Sequence, residues 1–128
     1  MSKILIDKEI KISQDELSSL TKFCIFAEQE LKTTNDFTTV ITADRDKWGI
    51  KTTAYYNPDN NLICIYAENR HIIDVCRSIA HEMTHMMQHD LGLITGPVKD
   101  VGGFHEDQAN AKAGEIVKKF IYEFGFEQ

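Results

Sequence analysis

Apolar residues recur at helical spacing in three stretches of the chain and at strand-like spacing in several others. From Ser13 to about Lys32, Leu17, Leu20, Phe23, Cys24, Ala27 and Leu31 fall on one stripe, the pattern of an amphipathic helix. Ser13-Gln14-Asp15-Glu16 supplies its start, since a serine followed three residues later by glutamate is a capping box. From His71 to His89 a second stripe comprises Ile72, Val75, Cys76, Ile79, Met83, Met86 and Met87. From Glu106 to Phe124 a third comprises Ala109, Ala113, Ile116, Val117, Phe120, Ile121 and Phe124. Residues 1–12 predict one or two short strands, and Phe37 to Ala43 reads as a β-branched strand. Ile50 to Asn57 and Asn61 to Ala67 alternate and are joined by the turn-forming Asn57-Pro58-Asp59-Asn60, which predicts a hairpin. The order implies an α+β domain over residues 1–128, with helices packed on a small, mostly antiparallel sheet.

The second helix carries the chemistry. His81-Glu82-Met83-Thr84-His85 is H-E-x-x-H. Residues four apart lie one above the other on a helix face, so two imidazoles at that spacing can reach one tetrahedral Zn²⁺. Glu82 lies about 100° round from His81, placed to approach water beside the metal without being a ligand. Relative to Ile72, His81 falls at about 180° and His85 at about 220°, opposite the apolar stripe. The plainer alternative is a pair of solvated histidines on an amphipathic helix.

A zinc site needs a third protein ligand. Downstream candidates are His89, His105, Glu106 and Asp107. With Glu106 at 0°, the apolar residues of its helix span about −80° to +60°. Glu106 therefore shares their face, while Asp107 lies at the edge and Gln108 faces water. A carboxylate aimed into a core is costly unless paired or bound to a metal, which favours Glu106. The alternative for Glu106 is an ordinary first-turn acid that complements the helix dipole. Asn110, one turn on, is placed to orient a ligand. His105 is the next candidate, and Gly102-Gly103 provides a turn before the helix. His89 reads as a cleft-wall or helix C-terminal residue, because three ligands from one straight helix fit a tetrahedron poorly.

H-E-M-T-H followed by Glu106-Asp107-Gln108-Ala109-Asn110 resembles the gluzincins, the thermolysin-like clan of zinc metallopeptidases, over roughly residues 60 to 124. It looks most like the small single-domain members found in phages, mobile elements and bacterial regulatory peptidases. The resemblance implies a minimal zincin-like domain and one Zn²⁺. His81, His85 and Glu106 would be its ligands, Glu82 the general base, and Asn110 would stand where the clan usually has an aspartate. A competing resemblance, to SprT-like zincins, would make His105 the third ligand. The implied reaction is peptide hydrolysis by a zinc-activated water, with Glu82 taking the proton and passing it to the leaving amine. One strand of the hairpin would bind extended substrate by strand addition. Trp48, Tyr55 and Tyr56 are either cleft or packing residues. His105 and Tyr122 are the candidates for stabilising the oxyanion; the resemblance supplies none, since the chain is too short for thermolysin's second lobe, where that family's oxyanion donors lie. Two non-catalytic alternatives are a zinc-stabilised regulatory or binding module and a metal-free interaction domain.

Composition narrows the setting. A net charge of −6 over 128 residues argues against nonspecific nucleic-acid binding. No apolar run is long enough for a membrane span and no signal peptide is expected. Cys24, Cys64 and Cys76 each sit in an apolar pattern without a C-x-x-C pair. That predicts reduced, buried thiols in a cytoplasmic protein.

Overall fold

In the computed structural model, residues 2–33, 35–93 and 103–125 are described. The chain begins with strand β1 (Lys3–Ile6) and helix α1 (Gln14–Leu31), followed by strand β2 (Thr38–Thr42) and the single turn α2 (Arg45–Trp48). Strands β3 (Ala54–Asn57) and β4 (Leu62–Tyr66) come next, then helices α3 (Ile72–Asp90) and α4 (Phe104–Phe124). This is the α+β architecture expected from the periodicities.

The capping box at the start of α1 forms as anticipated. The Ser13 hydroxyl accepts from the Glu16 backbone N–H at 3.1 Å, and the Glu16 carboxylate accepts from the Ser13 N–H at 3.3 Å. The helix ends at Lys32, whose left-handed φ of 54° closes the last turn. Leu20, Phe23, Cys24, Ala27 and Leu31 are buried along its inner face.

The sheet order is β1-β2-β4-β3, and here one expectation fails: the sheet is mostly parallel. β1 pairs parallel with β2, and β2 pairs parallel with β4. Only the β3–β4 hairpin is antiparallel, with Tyr55 opposite Cys64. The reason is the connection lengths. An 18-residue helix between β1 and β2 carries the chain back to its starting end, so β2 runs alongside β1 in the same direction. The hairpin turn is local and forms as expected: the Asp59 N–H donates to the Asn57 side chain at 2.9 Å, and Asn61 takes a φ of 48°.

Helices α1, α3 and α4 pack together, with α3 also lying on β3 and β4. Ile41, Ile63 and Ile65 meet Phe23, Ile79, Met83 and Phe120 in the main core. Among the described residues, the opposite face of the sheet carries a small cluster of Ile50 against Val40 and Cys64, with Trp48, Tyr55 and Tyr66 around them. Trp48 and Tyr55 are thus packing residues: the Trp48 ring N–H donates to Asp7 and the Tyr55 hydroxyl to the Trp48 carbonyl. Tyr56 is buried in the main core.

α3 is enclosed on more sides than an amphipathic pattern suggests. Ala80, Glu82, Thr84, His85 and Gln88 are buried alongside its apolar stripe, as α1 and α4 both pack against α3 in addition to the sheet. On α4, Ala109, Ala113, Ile116, Val117 and Phe120 are buried as expected, whereas Ile121 and Phe124 are exposed. Gly103 caps α4 at a φ of 98° that favours glycine; Gly102 lies outside the described residues. All three cysteines are free and buried. Burial pushes the Cys24 thiol up to about 12 and raises Cys76 and Cys64 as well. Among the described residues no helix is long and apolar enough to cross a membrane.

Candidate metal centre

α3 presents His81 and His85 from consecutive turns, and the first turn of α4 brings Glu106 against them. His81 Nε2 lies 2.8 Å from Glu106 Oε1, and His85 Nε2 lies 3.2 Å from Glu106 Oε2. The two Nε2 atoms are 3.2 Å apart, with the rings nearly perpendicular at 85°. Among the described residues these three form the one group of histidine, cysteine and carboxylate side chains with converging ligand atoms. His85 is almost fully buried at 1 % exposure, and His81 and Glu106 are mostly buried. The helical phase that puts Glu106 on the apolar side of α4 is also what aims it at α3.

The residue that orients His85 is Gln88, which sequence reasoning did not identify. Its amide is fully committed. Gln88 Nε2 donates to the His105 carbonyl at 2.9 Å and to Gln108 Oε1 at 2.8 Å. A backbone carbonyl can only accept, so the amide nitrogen must face it. That leaves Gln88 Oε1 against His85 Nδ1 at 2.8 Å. The bond requires a proton on Nδ1, and neutral His85 then presents a bare lone pair at Nε2.

This tautomer makes the cluster a test of metal fit. The His85 Nε2 lone pair faces His81 Nε2 and a carboxylate oxygen, both at 3.2 Å. Tetrahedral zinc with legs of about 2.0–2.1 Å holds its ligand atoms about 3.3–3.4 Å apart. The two Nε2 atoms, 3.2 Å apart, are close to that spacing, and each nitrogen lies against a different oxygen of Glu106, at 2.8 Å from Oε1 and 3.2 Å from Oε2. Two imidazole nitrogens and a carboxylate also form a donor set that zinc accepts. The residues present therefore fit the group.

Other expected residues fall into place unevenly. Glu82 is buried and lines a cleft of about 350 Å³ beside His81, Glu106 and Asn110. Asn110 is exposed on that cleft, and the bond that orients His85 comes from Gln88 instead. Gln108 does not face water, because it accepts from Gln88. His105 lies outside the converging group, with its Nδ1 buried and its carbonyl bound to Gln88. His89 sits in the last turn of α3 with its ring edge-on to Tyr56. Tyr122 is 90 % exposed and is absent from the cleft wall. The wall instead includes residues with no assigned role in the sequence: Thr52 and Thr53 just before β3, Arg70 just before the N-cap of α3, and Asp74, Arg77 and Ser78 from the first turns of α3. Gln88 was findable in principle, since its position three residues after His85 puts it on the same helix face. Comparison with family models, with curated proteins and with solved structures gives no match.

Proposed function

We propose that this protein is a zinc-dependent metallopeptidase of the gluzincin type. The observation that supports this most is the convergence of His81 Nε2, His85 Nε2 and the Glu106 carboxylate around one point. The Gln88 bond turns the His85 lone pair toward that point. His81, His85 and Glu106 would hold the ion. When bound, zinc supplies Lewis acidity, which makes water nucleophilic near neutral pH and polarises the scissile carbonyl. Glu82, one residue after a ligand and buried at the cleft, takes the water proton and returns it to the leaving amine. Peptide substrate would add to the outer edge of β3. That strand ends the sheet, and Ala54 with the preceding Thr52 and Thr53 borders the cleft.

Metal analysis and a single substitution test this. The purified protein should carry close to one Zn²⁺ per chain, and alanine at both His81 and His85 should abolish it. Glu82→Gln should retain zinc and the fold while losing hydrolysis of a casein or peptide-library substrate. Full zinc content in the double-alanine variant would refute the site. Undiminished turnover in Glu82→Gln would refute the mechanism.

A further inference from the structure

Arg70 is a cation built into the wall of the metal cleft, and among the described residues no carboxylate is bound to it. It immediately precedes the N-cap of α3, and three neutral acceptors fix its guanidinium. Nη1 donates to the Tyr66 carbonyl at 2.7 Å, and Nη2 donates to the Asp74 carbonyl at 3.1 Å and the Ser78 hydroxyl at 2.7 Å. These bonds use three of the five guanidinium hydrogens. The side chain is half-buried, and burial holds it below the usual guanidinium range. Asp74 works against that depression and Arg45 adds to it. A guanidinium does not lose its proton under these conditions, so it remains a partly desolvated charge in need of an anion.

Its position relates it to the chemistry. Ser78, which Arg70 holds, is one helical turn before Glu82 on the same face of α3. Arg70 also borders a second cavity of about 350 Å³, lined by Ile10, Ile12, Leu20 and Ile41, and a third beside His71 and Ile72, so it stands where three depressions meet. Apart from Ala54, the metal cleft is lined by polar and charged side chains. It therefore offers little grip for an apolar substrate residue.

We infer that Arg70 binds a carboxylate of the substrate, making this a peptidase for peptides with an acidic group next to the cleaved bond. The inference rests on the peptidase reading of the site. One helical turn is about 5.4 Å, and extended peptide advances about 3.3 Å per residue, so the carboxylate belongs one or two residues from the scissile bond. It is either an Asp or Glu side chain or the terminal carboxylate of the peptide. Either would accept a single charge-assisted bond from the Nη1–H or the Nε–H that remains, both hydrogens of Nη2 being already engaged. Arg77 is more than half exposed and ion-paired at 3.9 Å with Asp74; it contributes general positive charge and no fixed geometry.

The test is peptide binding, measured by fluorescence anisotropy on zinc-loaded Glu82→Gln protein, where no turnover interferes. The probes are a labelled peptide with Asp or Glu near its centre, its Asn or Gln counterpart, and each of these with a free or amidated C-terminus. A charge-assisted hydrogen bond should favour the acidic form by about tenfold or more. Preference that survives amidation assigns a side-chain carboxylate, and preference that follows the free terminus assigns the C-terminus. In Arg70→Gln the preference should vanish, in Arg70→Lys it should fall several-fold, and in Arg77→Gln most of it should remain. Arg70→Lys keeps the test decisive if loss of the Tyr66 and Asp74 bonds unfolds the glutamine variant. Equal affinity for acidic and amide peptides, or undiminished preference in either folded Arg70 variant, overturns the inference. Preference with no hydrolysis by the wild-type protein preserves the carboxylate site and refutes the peptidase reading instead.

Discussion

Gln88→Leu removes one amide from a fully buried position and breaks three hydrogen bonds while leaving side-chain volume nearly unchanged. Each neutral bond contributes about 1 kcal/mol, so the metal-free protein should lose about 3 kcal/mol. Part of that loss is the His85 Nδ1–H, left without an acceptor at 1 % exposure. The second effect is on the metal. Without the Gln88 oxygen, neutral His85 is free to place its proton on Nε2, the atom proposed to bind zinc. Loss of such an orienting partner typically weakens metal affinity about 10–100-fold. That corresponds to about 1.4–2.7 kcal/mol less stabilisation by zinc at a fixed free concentration well above Kd. Urea unfolding in chelator reads the first quantity. Competition with a fluorescent zinc chelator reads the second. Gln88→Glu separates them. A carboxylate still accepts from His85 Nδ1 but cannot donate to the His105 carbonyl, so zinc affinity should be kept while metal-free stability falls. If Gln88→Leu leaves both unchanged, the tautomer reasoning is refuted.

Three further outcomes follow from the same geometry. Glu106→Ala should lower zinc affinity sharply and lower Tm in zinc more than in chelator, whereas Asp107→Ala and His105→Ala should change zinc affinity little; zinc loss tracking His105 in a chelator titration would favour the SprT-like arrangement. Asp7 accepts from the Thr42 hydroxyl and the Trp48 ring N–H and lies 3.5 Å from Lys47 Nζ, and these hold its carboxyl below the ordinary 3.8. Because the folded value is the lower one, its contribution is present above the unfolded value and is lost as pH falls through the folded one. Asp7→Asn should therefore flatten the fall in stability below about pH 4, as measured by denaturant unfolding across that range. The buried thiols, with Cys24 pushed up to about 12, should resist iodoacetamide at pH 8 in native protein and react on unfolding; labelling of the folded chain would contradict their placement.

The features legible in the sequence are those fixed within one element or one turn. The spacing of His81 and His85 is a property of any helix, and the capping box at Ser13 and the Asn57 turn each close within four residues. Glu106 was legible one step further out: its phase on an apolar helix face says that it points inward, though not at what. Tertiary structure decided everything that joins distant segments. The parallel pairing of β2 with both β1 and β4 depends on how α1 and the hairpin return the chain, and strand alternation carries no direction. Gln88 reads as an ordinary polar residue until α4 brings His105 and Gln108 to it from 17 and 20 residues away. Arg70 reads as a helix-flanking charge until the Tyr66 carbonyl and Ser78 hold it at the cleft. Periodicity records which way a side chain faces along its own element. What it meets there is set by the packing of the elements against one another, and in this chain that packing sets the tautomer of His85 and the charge of the cleft wall.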